Sequence, residues 1–133
     1  MRTDRYAPYV IDFQNASLVK LQQVDPNSLL SDVQPLLVQD ERPVASFKGI
    51  RDYVVFTDKR VIAVNVQGMT GKKRDFTSLP YSKIQAFSVE TAGRFDLDAE
   101  LDLWFSGLGK VRFEFRGQVD IRTLSQLIAT YTL

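Results

Sequence analysis

Residues 96–103 run Asp96-Leu97-Asp98-Ala99-Glu100-Leu101-Asp102-Leu103, a carboxylate at every even position and an apolar side chain at every odd one. Clustered carboxylates can ligate a divalent cation, or divide the roles of general acid and base. Spacing decides between such chemistry and a structural role. Alternation with period two belongs to a β-strand, whose successive side chains face opposite ways. On an extended strand, alternate carboxylates run parallel about 6.8 Å apart and do not converge on one ion. The calcium-loop pattern also fails. With Asp96, Asp98 and Glu100 in its first, third and fifth positions, Leu101 falls where glycine is needed and Gly107 where the bidentate glutamate belongs.

Composition narrows the chemistry further. The chain contains no histidine, which removes the commonest general base, the commonest metal ligand and every Ser-His or Cys-His nucleophile pair. It contains no cysteine, so thiolate catalysis, disulfides and zinc-finger sites are absent. No catalytic residue, metal ligand or cofactor site is assigned. Seventeen basic residues against sixteen acidic ones leave a net charge of +1, too little for the positive field of a nucleic-acid partner. No apolar run approaches the roughly 20 residues of a membrane helix, and the start of the chain lacks the basic-then-apolar order of a secretory signal. The expected location is the cytoplasm.

The alternative for the acid row is pairing with the next strand, where Lys110, Arg112, Glu114 and Arg116 alternate with Val111, Phe113 and Phe115. Both apolar sets are odd-numbered, so an odd loop must join the strands if they share one face. Gly107-Leu108-Gly109, with Gly109 left-handed, satisfies this. The expected register sets Leu103 against Phe113, Leu101 against Phe115, Glu100 against Arg116, Trp104 against Arg112, and Asp102 against Glu114. Trp104 then points outward, and with Arg112 it is a candidate for a contact between copies. Val54 and Phe56 join that candidate interface, because Tyr53-Val54-Val55-Phe56 and Val61-Ile62-Ala63-Val64 are apolar on both faces and one face needs cover. A helix over about 26–39 is the other candidate cover.

The elements that position these residues follow from periodicity and turn chemistry. Residues 1–41 read as an N-terminal extension. Positions 1–24 give no clear pattern; Asp25-Pro26 then opens the helix, with a break near Pro35. Residues 42–133 read as one β-rich unit, with strands at 42–49, 52–58, 60–66, 72–79, 82–91, 97–106 and 110–116. Gly93 is expected to sit at a bulge or a positive φ, and Arg51, Asp52, Asp58 and Arg60 to fix the turns around 52–58. A final helix over about 120–131 starts at Asp120 and turns Ile121, Leu124, Leu127, Ile128 and Tyr131 inward.

Lys72, Lys73 and Arg74 follow the glycine-containing loop Gly68-Met69-Thr70-Gly71. Only two residues separate those glycines and no Ser or Thr follows the lysines, so this is not a nucleotide P-loop. The three cations are a candidate contact for an anionic ligand or membrane surface, each contributing about 1 kcal/mol. A solvated hairpin end is the favoured reading.

Residues 51–62, 67–73, 79–81 and 87–101, in that order, resemble the bacterial pleckstrin-homology-like family, and the resemblance extends over about residues 25–132. It implies a mostly β fold, a pleckstrin-homology-like barrel of about seven antiparallel strands with a C-terminal helix. It also implies homo-oligomers, rings among them, and transfers no catalytic residue. The functional expectation is a non-catalytic module that binds itself, with an anionic or membrane-surface binder as the alternative.

Overall fold

The computed structural model describes residues 17–67, 69–91, 98–117 and 119–133. Its elements are β1 (Ser17–Val24), α1 (Leu30–Val33), β2 (Pro43–Lys48), β3 (Tyr53–Thr57), β4 (Arg60–Gln67), β5 (Lys73–Pro80), β6 (Ile84–Glu90), β7 (Ala99–Phe105), β8 (Gly109–Phe115) and α2 (Ile121–Thr132). The seven expected strands correspond to β2–β8. Asp96 and the turn expected at Gly93 lie outside the described residues.

β1 is the strand that periodicity did not reveal. Its buried residues, Leu18 and Leu21, are three apart, which is helical spacing. They reach one face because the register shifts between them, where Lys20 adopts φ +57°. An irregularity of this kind re-aims the chain, so the alternation resumes with opposite parity. The first half of β1 pairs in parallel with β8, Leu18 beside Phe113 and Leu21 beside Phe115. Its second half pairs antiparallel with β2, Gln23 beside Phe47. β1 therefore sits inside the sheet rather than in an appended extension.

The strand order is β5-β4-β3-β2-β1-β8-β7-β6. The mostly β architecture with a C-terminal helix is the expected one, with three differences: the described residues form eight strands rather than about seven, one neighbouring pair is parallel, and β5 and β6 stand at the two ends of a sheet that is not closed. The main core lies on one face of the sheet. Phe47 packs on Phe115 and Phe56, with ring centroids 4.7 and 5.6 Å apart, and Phe56 packs on Phe113 at 5.7 Å. Each such ring contributes about 1.5–3 kcal/mol through burial. α2 closes this core with Ile121, Leu124 and Ile128, as its apolar stripe predicts, while Tyr131 stacks on Tyr81. Asp120 caps α2 by accepting the Thr123 amide at 3.1 Å.

A second core covers the outer face of β3 and β4, where Tyr53, Val55, Ile62 and Val64 meet Val33, Leu29, Leu30 and Leu37. The cover is not the long helix expected over 26–39. Asp25 opens the segment by accepting the Asn27 amide at 2.8 Å, and i→i+3 bonds follow from Ser28 and Leu30. Only the single turn α1 is α-helical, and a 3₁₀ turn through Gln34–Leu36 replaces the rest. Pro35 has no N–H to donate, and its ring obstructs the preceding turn.

Polar anchors hold this cover down. Ser46 donates to the Pro26 carbonyl at 3.1 Å, and Tyr53 donates to Asp32 at 2.7 Å. At its end, the buried Glu41 carboxylate takes the Arg60 Nε and Nη2 groups at 2.9 Å each and the Thr57 hydroxyl at 2.7 Å. Arg60 also donates to the Leu36 carbonyl at 2.6 Å and to Ser78 at 2.9 Å. Arg60 thus grips Glu41, whereas Asp58 accepts the Arg42 amide and Asp52 the Val66 amide, both at 3.1 Å.

The β7–β8 hairpin has the expected parity, but its register is displaced by two residues. The three-residue loop is Ser106-Gly107-Leu108, and Gly109, at φ +85°, already pairs with Phe105. Asp102 therefore faces Arg112 rather than Glu114, and Trp104 faces Lys110 rather than Arg112. Arg112 forms a two-pronged pair with Asp102 at 2.9 and 3.1 Å and reaches Glu100 at 3.3 Å. This register exchanges an unfavourable Asp102–Glu114 rung for a salt bridge. It also aligns Glu90, Glu100 and Glu114 across three strands. Burial raises the Glu100 pKa; Arg112 opposes the rise, and Glu90, Glu114 and Asp102 add to it.

Two outcomes follow. Burial opposes ionisation of Glu41, but hydrogen bonds from Arg60, Thr57 and the Val38 amide outweigh it and hold the carboxyl below its ordinary value of 4.5. Its stabilisation is complete above that value and lost as pH falls through the lower, folded-state pKa. Glu41→Ala should cost about 3 kcal/mol at pH 7 in chemical unfolding, since it leaves Arg60 without its carboxylate, and the deficit should shrink in acid. Glu100 has the opposite sign, because a raised carboxyl pKa works against the folded state once the group ionises. Glu100→Gln should raise the melting temperature at pH 7, and the gain should vanish below about pH 4.

Candidate functional site

In an antiparallel meander, alternate turns fall at the same end of the sheet. The β2–β3 turn (49–52) and the β4–β5 turn are brought together in this way. The first is tight: the Gly49 amide donates to the Asp52 carbonyl at 2.8 Å, and a Cβ on Gly49 would stand only 3.2 Å from the Val19 carbonyl oxygen. The second turns at Gly71, whose φ of +67° is the left-handed conformation that glycine adopts without strain. Between them lies a cleft of about 390 Å³ carrying Lys48, Arg51 and Arg74, with Asp32 and Tyr53 in its wall.

Asp32 is the cleft's one lining carboxylate among the described residues, and it is already engaged. Tyr53 donates to its Oδ2 at 2.7 Å, and Arg74 Nε lies 3.8 Å from the same atom. Burial and the Asp32 carboxylate push the Tyr53 hydroxyl up to about 12, although Arg74 opposes this, so it stays a donor at every physiological pH. Arg74 also donates to the Gly71 carbonyl at 3.0 Å. Three cations against one carboxylate leave a net charge of +2 on the lining. A neighbouring hollow of about 240 Å³ shares Lys48 and Ile50 and adds Lys20 and Arg116.

Of the expected basic trio, only Arg74 lines this cleft. Lys72 and Lys73 are exposed beside it, and Lys73 lies across from Gln67, on the opposite face of β5 from Arg74. Lys48 and Arg51 take their place. Sequence reasoning gave Arg51 only a turn-fixing role and passed over Lys48, because residues 49–52 are short and charge-neutral by themselves; the available signal was the even number of strands separating the two turns.

The candidate interface residues do not assemble. Val54 and Phe56 are 0% exposed in the main core and have no surface to offer a second copy. Cover for the outer face of β3 and β4 comes from the chain's own residues 29–37. Trp104 does lie on the outer face, partly exposed between Ala86 and Lys110, while Arg112 is occupied by Asp102 and Glu100. The aligned glutamates border a cleft of about 660 Å³ together with Lys20, Asp98 and Arg116. No His/Cys/Asp/Glu group among the described residues could hold a metal ion, and no described helix is long and apolar enough to cross a membrane.

A family profile for the bacterial PH domain matches residues 12–132. The chain is 50% identical over 96 residues to the uncharacterized protein YjqA of Bacillus subtilis, covering 71% of this chain and 77% of that one. It resembles the crystal structure of a duf1696 family protein with a pleckstrin-homology domain from Shewanella loihica, with a TM-score of 0.74 and 38% identity, covering 87% of this chain and 100% of that chain. A pleckstrin homology domain from Shewanella amazonensis aligns with a TM-score of 0.62 and 42% identity, over 83% of this chain and 90% of that chain. An eight-stranded sheet closed at one side by a C-terminal helix is therefore the pleckstrin-homology-like fold, and the chain belongs to the bacterial PH domain family.

Proposed function

We propose that the chain is a non-catalytic binding module that takes an anionic ligand, phosphate-bearing or of similar charge, in the cleft among Lys48, Arg51 and Arg74. The observation that carries this reading is the convergence of three cations, from the end of β2, the β2–β3 turn and β5, on one cleft whose lining carboxylate is held by Tyr53 and Arg74. A surface cation contributes about 1 kcal/mol toward an anionic partner, so the cleft favours ligands bearing several charges. The acidic rung of Glu90, Glu100 and Glu114 repels such ligands.

A second reading is self-association through the outer face around Trp104. It is favoured by the position of this partly exposed tryptophan, one strand in from the open edge at β6, beside the small exposed side chains of Ala86 and Ser88. Aromatic residues of this kind are enriched in contacts between chains.

Titration with inorganic pyrophosphate at low salt tests the first reading. Lys48→Ala should weaken binding about fivefold, and Lys59→Ala, an exposed lysine in the β3–β4 turn, should leave it unchanged. Absence of pyrophosphate binding in the unmodified protein sinks that reading. Sedimentation mass tests the second: Trp104→Ala should lower the assembly mass while leaving the chain folded, and a strictly monomeric unmodified protein rules it out.

A further inference from the structure

Asp32 reaches the basic cleft from outside the meander that builds it. Lys48, Arg51 and Arg74 belong to β2, the β2–β3 turn and β5, whereas Asp32 belongs to α1, in the segment that covers the outer face of β3 and β4. Its neighbour Val33 is fully buried in that second core, so a seated cover delivers the Asp32 carboxylate to the cleft wall. Two groups hold this carboxylate, and they hold it unequally. The Tyr53 hydroxyl donates to Oδ2 at 2.7 Å, whereas Arg74 Nε stands 3.8 Å from the same atom, too far for a hydrogen bond. By contrast, Arg60 grips Glu41 and Arg112 grips Asp102, each with two nitrogens and a closest approach of 2.9 Å. The Arg74 and Asp32 side chains are 34% and 37% exposed, so a solute can reach both.

We propose that Asp32 is an internal competitor for the anion: it balances Arg74 until a ligand takes that arginine, and Tyr53 then keeps Asp32 on the cover. The proposal rests on the anion-binding reading above and adds the residue that sets the affinity and charge selectivity of the site. The exchange is favoured because the Arg74–Asp32 contact is charge without a hydrogen bond. An anionic oxygen that closes to hydrogen-bonding distance makes the stronger, charge-assisted bond in its place. Arg74 need not leave the cleft to change partners, since its Nη1 donates to the Gly71 carbonyl at 3.0 Å. Asp32 then stands as a like charge beside the ligand, and the Tyr53 bond limits that cost by keeping the carboxylate paired. A singly charged solute, worth no more to Arg74 than Asp32 is, displaces the carboxylate poorly. A multiply charged one, held by Lys48 and Arg51 as well, displaces it readily.

The test is the pyrophosphate affinity of the full chain and its variants, measured by calorimetry at low salt. Asp32→Asn keeps an oxygen for the Tyr53 hydroxyl and removes the charge, and should bind about fivefold tighter than the unmodified protein. Asp75→Asn makes the same change in net charge beside Arg74 in sequence but on the other face of β5. It should gain less than about twofold. Tyr53→Phe should bind about threefold weaker, because Asp32, released from the hydroxyl, closes on Arg74. The double variant Tyr53→Phe/Asp32→Asn should match Asp32→Asn, since the hydroxyl then has no charge to hold back. An affinity that Asp32→Asn leaves unchanged, or a gain that Asp75→Asn reproduces in full, overturns the competitor and leaves the anion site standing. A loss in Tyr53→Phe that persists undiminished in the double variant overturns the holding role of Tyr53 in the same way. The Asp32 and Asp75 comparison is complete without the tyrosine variants, should these fail to fold. Absence of pyrophosphate binding in the unmodified protein and in Asp32→Asn alike removes the anion site and the proposal together.

Discussion

The fold depends on one strand having two different neighbours. β1 gives its first half to β8 and its second half to β2, and so joins the β2–β5 meander to β6–β8. The two halves need opposite parities to keep Leu18 and Leu21 on the core side, and the change occurs around Lys20, whose backbone is left-handed. A non-glycine residue in that conformation costs about 1 kcal/mol or more. The packing of Leu18 and Leu21 among Phe47, Phe113 and Phe115 offsets that cost. The Arg116 amide, bonded to the Leu21 carbonyl at 2.8 Å, extends the join past the end of β8.

The second constraint is that β3 and β4 are apolar on both faces. A sheet in water cannot leave such a face bare, so a segment must return across it. Residues 29–37 do so with very little regular structure. Their attachment is polar at the margins and apolar in the middle: Ser46, Tyr53 and the Glu41–Arg60 pair surround Val33 and its neighbours. Asp32 belongs to this cover and also to the wall of the basic cleft. The same tyrosine–carboxylate bond that seats the segment thus lowers the negative charge available to repel a ligand.

Much of this architecture was legible from residue order. Strands β2–β8, the capping Asp120 and the inward stripe of α2 follow from alternation, turn residues and helical spacing. The hairpin parity followed from the odd numbering of Leu101, Leu103, Phe113 and Phe115, but parity cannot distinguish registers two residues apart. The choice was made by Asp102 and Arg112, whose pairing requires Gly109 to enter the strand instead of the loop. β1 was illegible because its irregularity turns a strand's alternation into helical spacing. The long helix over 26–39 failed because apolar spacing registers a buried face without registering the backbone bonds that Pro35 forbids. At the candidate site, Arg74 was visible as part of a charge run, whereas Lys48 and Arg51 acquired meaning only once two distant turns came together.

The placement of β1 also sets an order on how the chain can assemble. Ser17 lies beside Arg112, a separation of 112 − 17 = 95 residues, whereas each hairpin of the β2–β5 meander closes over a few residues. Closing so long a loop costs more entropy than closing a hairpin, and rates fall as such distant contacts come to dominate. The meander and its cover can therefore form while the chain is still being synthesised. β1 must wait for β8, and until β8 emerges, the edge of β2 and the apolar flank of β1 stay open to the wrong neighbours. That exposure closes when β8 takes its place beside β1.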